Sequence, residues 1–127
     1  YDTCSPIHPT PLVHIHGQQD DIICINGGDY YRPLEDNGST SGVISYWQDY
    51  NQCNSFSEDS IYDNDQEVIG ALKKWTSCSN NTEINYWILF NQGHEWNEGD
   101  KDGSSSFDTS QTIWNFFKQF DLNGLKN

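Results

Sequence analysis

One stretch near the start of the chain constrains the fold more than any other. It reads Pro11-Leu-Val-His-Ile-His-Gly17 and continues through two glutamines to Asp20 and Asp21. A short run with apolar side chains on both faces is typical of a strand buried in a parallel sheet. Because open α/β sheets place functional groups beyond the carboxyl ends of their strands, we expect one of these carboxylates to belong to a site.

A second strand is followed by a polar group that could be its partner. In the predicted strand 83–90, Ile84, Tyr86, Ile88 and Phe90 alternate onto one face. A predicted strand at 71–77 precedes it as the other half of an antiparallel hairpin. His94 comes shortly after, behind Gly93. If both strand ends lie at one edge, Asp20 or Asp21 can accept a hydrogen bond from the imidazole of His94 and hold its tautomer. The alternative is a surface histidine and a capping aspartate.

The rest of the chain is read from its periodicity. Apolar residues at helical spacing predict helices over 43–51 and 112–120, with N-cap candidates at 108–110. The polar, acidic stretch 54–67 has no apolar period and is predicted to be a loop.

Composition excludes several classes of partner. Six Lys and Arg face 19 Asp and Glu, a formal net charge of -13. Such a surface repels phosphate backbones and anionic headgroups, so neither a nucleic acid nor a membrane is expected as a partner. Aromatic residues make up 14% of the chain, and their large rings can form a core although aliphatic residues are few.

Several short motifs occur in one order along nearly the whole chain. They are His14-Ile-His-Gly-Gln-Gln-Asp20, then Trp47 with Asn51-Gln-Cys53, then Cys78, Gly93-His-Glu-Trp96 and Ile113-Trp-Asn-Phe-Phe117. This series resembles the C-terminal portion of the secreted polyhydroxybutyrate-depolymerase/feruloyl-esterase-like α/β-hydrolases. The HIHGxxD and GHxW motifs are its specific parts, and Asn97 stands where the family usually has Pro.

The resemblance implies an α/β fold in which residues 1–127 form a single C-terminal segment of an α/β-hydrolase domain. That segment would hold the last strands, the Asp loop, the His loop and the C-terminal helix. Asp20 matches the acidic member of a Ser-Asp-His triad, His94 matches the general base, and Cys53 and Cys78 match a family disulfide. The implied activity is secreted carboxylic ester hydrolysis, on polyhydroxyalkanoate, feruloyl- or acetyl-polysaccharide, or short acyl esters, without a cofactor.

The nucleophile of such a triad is missing from these residues. No G-x-S-x-G motif occurs, and Gly38-Ser-Thr-Ser-Gly42 has Thr40 at its centre. We therefore expect the serine in an upstream, N-terminal part of the same hydrolase, and we expect this chain alone to be inactive. The competing hypothesis is a non-catalytic secreted binding or structural module.

The remaining candidates concern cysteines, metals and the substrate. The four cysteines lack CxxC spacing, and their even number is typical of disulfides in an oxidising compartment. Cys4 could pair with Cys24 or with a cysteine upstream. Trp96 is a candidate for the substrate mouth. Two weaker sites are a metal on His14 and His16, which lack the Asp-His pair of an HxHxDH motif, and a calcium loop over 98–109, which closes on Thr109 instead of Glu. We predict no metal at either.

Overall fold

The structure is a computed structural model that describes residues 6–27, 38–99, 107–121 and 123–126. Within these ranges the chain forms six strands and two helices, with a short 3-10 turn at Ser79–Asn81. The elements in order are β1 Leu12–Gly17, α1 Thr40–Asn51, β2 Ser55–Tyr62, β3 Val68–Thr76, β4 Ile84–Leu89, α2 Thr109–Phe117, β5 Phe120–Asp121 and β6 Gly124–Leu125.

Four of the strands make one mixed sheet in the order β1-β4-β3-β2. β1 runs parallel to β4, and its register pairs Leu12 with Ile84 and Gly17 with Leu89. β4 is antiparallel to β3, which confirms the predicted hairpin, and β3 is antiparallel to β2. The parallel pairing brings the carboxyl ends of β1 and β4 to the same end of the sheet.

The expected fold class, an α/β C-terminal part of an α/β-hydrolase, is wrong. Among the described residues, antiparallel pairings outnumber the single parallel pairing of β1 with β4, and only two short helices accompany the six strands. The molecule is a small β-rich domain. The error has a local cause: the stretch 54–67, predicted to be a loop, contains β2, which extends the sheet by an antiparallel strand.

A compact core lies between α1 and the centre of the sheet. Ile44 of α1 packs with Ile84 and Tyr86 of β4, and all three side chains are buried. Burying one aliphatic side chain of this size contributes about 1.5–3 kcal/mol. Leu12 and Trp47 pack against this cluster. The core therefore attaches the amino end of β1 to the helix and to β4.

Both helices begin with a side-chain cap. Ser39 accepts a hydrogen bond from Gly42 N at 3.1 Å, so α1 starts three residues before the predicted position. Asp108, one of the predicted N-cap residues, accepts from Gln111 N at 2.8 Å. α2 ends at Phe117, earlier than predicted, and Phe120 lies in β5 instead.

The predicted disulfide between Cys53 and Cys78 is present. Cys53 lies just before β2 and Cys78 lies just after β3, so the bond joins the two chain segments at the open end of the β2–β3 hairpin. Asn54 N donates to Thr76 O at 3.3 Å beside it. Neither α1 nor α2 is long and apolar enough to cross a lipid bilayer.

Candidate functional site: an Asp–His pair at the end of the parallel strands

Two loops meet where β1 and β4 end. Gln18 N donates to Leu89 O and Gln19 N donates to Gln92 O, both at 2.8 Å. The side chain of Gln19 also donates to Asn91 Oδ1 at 3.1 Å. These bonds continue the parallel pairing beyond the strands, so the two loops are held at a fixed separation.

The close approach of the loops depends on Gly17. A Cβ atom at this position would lie 2.3 Å from Gly93 O and 2.5 Å from Gln92 O, both of them main-chain atoms. The turn after β4 places Asn91, and not Gly93, in the left-handed region, at φ 56°. Asparagine tolerates this conformation better than most residues.

Asp20 is held inside the first loop by main-chain donors. Its Oδ1 accepts from Ile22 N at 3.0 Å and from Ile23 N at 2.8 Å, which is the pattern of an Asx turn. The side chain is only 7% exposed. Burial disfavours the charged carboxylate, but the hydrogen bonds from Ile23 N, the His94 ring and Ile22 N outweigh it and keep the pKa of Asp20 below its ordinary value.

The second oxygen of Asp20 faces His94. His94 Nδ1 lies 2.9 Å from Asp20 Oδ2. Because an ionised carboxylate can only accept, Nδ1 carries the hydrogen and Nε2 of the neutral ring keeps its lone pair. The His94 side chain is 55% exposed, and no residue in the described part of the chain hydrogen-bonds to its Nε2. The pair thus combines a buried, oriented carboxylate with an accessible basic nitrogen.

Two more histidines lie behind the pair, on β1. His16 Nε2 is 2.8 Å from Ile23 O and 3.8 Å from Asp20 Oδ2. Its Nδ1 is 3.3 Å from His14 Nε2, and the two rings are stacked. Burial, and then the neighbouring His16 ring, lower the pKa of His14. The described residues contain no group of three His, Cys, Asp or Glu placed to hold a metal.

Two cavities lie at this end of the sheet. One, of about 380 Å³, contains Asp20 and His94. The other, of about 250 Å³, has a mixed lining, in which Val13 and Ile113 are apolar and Glu95 is charged. Trp96 borders both, is 62% exposed, and donates from Nε1 to Ser110 Oγ at 3.2 Å. An exposed indole held by a hydrogen bond presents a fixed apolar wall beside His94.

The structure does not bring the other candidates into this site. Asp21 is exposed, and no hydrogen bond of its side chain is found among the described residues. Cys24 has a free thiol, and its proposed partner Cys4 lies outside the described residues. Positions 100–106 of the weak calcium-loop candidate also lie outside them, while Glu98 pairs with Asp108 through a single β-bridge.

Sequence reasoning missed the groups that orient the carboxylate. The main-chain N–H groups of Ile22 and Ile23 hold Asp20, and His16 holds the turn that presents them. An aspartate after a glycine, followed by two residues whose amides it can accept from, is a recognisable Asx-turn signal. The role of His16 has no comparable signal, since it depends on a contact across the turn.

Comparisons with known proteins do not assign a function to this chain, so the functional assignment depends on the chemistry of the site. No protein-family model, curated protein or solved structure matches this chain. The resemblance to secreted polyester and feruloyl esterases therefore remains a prediction.

Proposed function

We propose that Asp20 and His94 are the acid and base members of a Ser-Asp-His carboxylic ester hydrolase. The observation that carries the proposal is the 2.9 Å contact between Asp20 Oδ2 and His94 Nδ1, made by a buried carboxylate and a half-exposed imidazole. This arrangement holds the tautomer with a basic Nε2 and stabilises the imidazolium that forms when the ring takes a proton.

In the proposed reaction a serine hydroxyl attacks the ester carbonyl while His94 Nε2 removes its proton. The imidazolium then gives that proton to the alkoxide of the leaving alcohol, and the acyl group stays on the serine. Water then attacks the acyl carbonyl while His94 Nε2 takes its proton. As the bond to the serine oxygen breaks, the imidazolium returns this proton to that oxygen and the carboxylic acid leaves. Asp20 remains ionised throughout and only orients and stabilises the ring.

The serine would come from a segment beyond these 127 residues, the N-terminal part of the same hydrolase. Among the described residues, no hydroxyl or thiol hydrogen-bonds to His94 Nε2. The same observation favours the alternative, a non-catalytic binding or structural module, and an experiment must separate the two.

The substrate class follows from the surroundings of His94. The cavity beside Trp96, of about 250 Å³ and lined in part by Val13 and Ile113, suits a short acyl chain or an aromatic acyl group. A net charge of -13 disfavours polyanions, so neutral polyesters and neutral esterified polysaccharides are the proposed polymeric substrates. Secretion is part of the proposal, and the Cys53–Cys78 disulfide supports it.

The proposal is tested on the natural protein that contains this chain. It should hydrolyse p-nitrophenyl butyrate and react with a fluorophosphonate probe at one serine, located by mass spectrometry outside the present residues. His94→Ala should abolish both reactions, and the 127-residue chain alone should show neither. If the natural protein neither hydrolyses the ester nor takes the label, the proposal fails and the binding module is favoured. Full activity in His94→Ala would equally refute it.

A further inference from the structure

The histidines of β1 form a directed hydrogen-bond series that ends at the Asp20 turn. A carbonyl oxygen can only accept, so His16 Nε2, at 2.8 Å from Ile23 O, carries a hydrogen. The Nδ1 of the neutral ring then has its lone pair free and accepts from His14 Nε2 at 3.3 Å. His16 is 8% exposed, so water offers little competition for these bonds.

The peptide groups of Ile23 are held on both sides. Its N–H donates to Asp20 Oδ1 at 2.8 Å, and its carbonyl accepts from His16 at 2.8 Å. His16 Nε2 also lies 3.8 Å from Asp20 Oδ2, the oxygen that receives the His94 hydrogen bond. The position of the turn, and with it the direction of Oδ2, therefore depends on a side chain of the rigid strand.

We infer that His16 is a positioning residue for the Asp20–His94 pair, acting through its Nε2–H donor to the Ile23 carbonyl. His14 meets the other ring nitrogen of His16, Nδ1, at 3.3 Å and takes no part in this donor bond. The groups that face His16 are the His14 ring on the same strand and the Asp20 carboxylate and Ile23 carbonyl of the turn. The catalytic consequence of this role rests on the proposed esterase function, whereas the positioning itself does not.

The decisive comparison uses two amide side chains of different length. The Nε2 of glutamine reaches the place of the histidine Nε2, whereas the amide of asparagine reaches only the place of Nδ1. In the natural protein that contains this chain, the long-range ¹⁵N–¹H spectrum of His94 should show the Nδ1–H tautomer in the wild type and in His16→Gln. His16→Asn should lose the Nδ1–H resonance and the slow exchange of the Ile23 amide.

His14→Phe is the matched control, because it changes a neighbouring ring of β1 but leaves the His16 donor in place. It should keep the His94 signature. Equal His94 spectra in His16→Gln and His16→Asn, whether both wild-type or both altered, would overturn the inference. If His16→Asn fails to fold, the His16→Gln spectrum still decides: a wild-type signature supports the donor role and an altered one refutes it.

Activity separates this inference from the proposed function. In the natural protein, His16→Asn should lower kcat for p-nitrophenyl butyrate by about 10- to 100-fold, as small displacements of a catalytic group do, while KM changes little. An active enzyme unaffected by His16→Asn would refute the positioning role and leave the esterase standing. An inactive natural protein whose His94 spectrum responds as described would refute the esterase and leave the positioning role standing.

Discussion

The two edges of the four-stranded sheet are stabilised by different kinds of contact. At one edge, β1 ends in a loop with a carboxylate that is 7% exposed and held by two main-chain N–H groups. At the other edge, seven of the eight residues of β2 are exposed, and the strand is defined by its antiparallel register with β3. The first edge is organised by tight main-chain contacts, and the second by strand pairing and a disulfide. The candidate site and the hairpin should therefore respond separately to substitution.

The largest expected effect belongs to the disulfide that closes the hairpin. Replacing Cys53 and Cys78 by Ser should lower the free energy of unfolding by about 3 kcal/mol, the chain-entropy value for a loop of this length. Urea denaturation measures this loss, and hydrogen exchange should show faster opening of β2 than of β1. Below the unfolding temperature, the tautomer of His94 should stay as in the wild type. Loss of that tautomer in the folded variant would show that the two edges are coupled.

A smaller effect is expected at the other edge from Gly17→Ala. The added methyl group meets the carbonyl oxygens of Gly93 and Gln92, so the His94 loop must move away, at a cost of about 1–3 kcal/mol. In Gly17→Ala the His94 tautomer should change, while hydrogen exchange in β2 should stay as in the wild type. Gly42→Ala is the control, since its Cβ meets only the Ser39 hydroxyl oxygen at 3.4 Å in a helix that favours alanine. An undisturbed His94 spectrum in Gly17→Ala would contradict the close-packing account.

This contrast also explains how much could be predicted from the sequence. The apolar runs at Leu12–Gly17 and Ile84–Leu89 are partly or fully buried along their whole length, and both predicted strands are present. Ser-Phe-Ser-Glu-Asp-Ser-Ile-Tyr at Ser55–Tyr62 has no buried face, so its pairing with β3 left no apolar period to detect. Missing that strand is a main reason why the predicted fold class is wrong.

The residues of the candidate site also divide into those that could be predicted from the sequence and those that could not. Position just past a predictable strand indicates His94 and the two neighbouring carboxylates Asp20 and Asp21, and the resemblance to the hydrolase motif selects Asp20. The groups that orient Asp20 could not be predicted from the sequence. Ile22 and Ile23 act through their main chain, and His16 acts through a turn whose shape the sequence does not specify. Side chains that follow strong periodic elements can be predicted, whereas loop geometry and contacts across a turn cannot.

The smallest expected effect is the loss of stability at acidic pH, and it should come from the edge of the sheet formed by β1. The pKa of Asp20 is lowered in the fold, because its hydrogen bonds outweigh its burial, so its contribution is complete above the unfolded pKa of about 4 and is lost as pH falls through the folded value. The pKa of His14 is lowered by burial and by His16, so stability also declines as pH falls below 6.5.

Urea midpoints at a series of pH values check both contributions. His14→Phe should flatten the decline that begins near the ordinary histidine pKa of 6.5, and Asp20→Asn should flatten the one at lower pH. Profiles that keep the wild-type slopes in both variants would place the acid sensitivity elsewhere, in the exposed acidic hairpin.

The most direct test of the central claim is the kcat of the natural protein after substitution of each neighbouring carboxylate. With p-nitrophenyl butyrate, Asp20→Asn should lower kcat by about 10³- to 10⁴-fold, because His94 loses the acceptor that holds its tautomer. Asp21→Asn, at an exposed position, should stay within about twofold of the wild type. A kcat that survives Asp20→Asn but collapses in Asp21→Asn would contradict the claim that Asp20 orients His94.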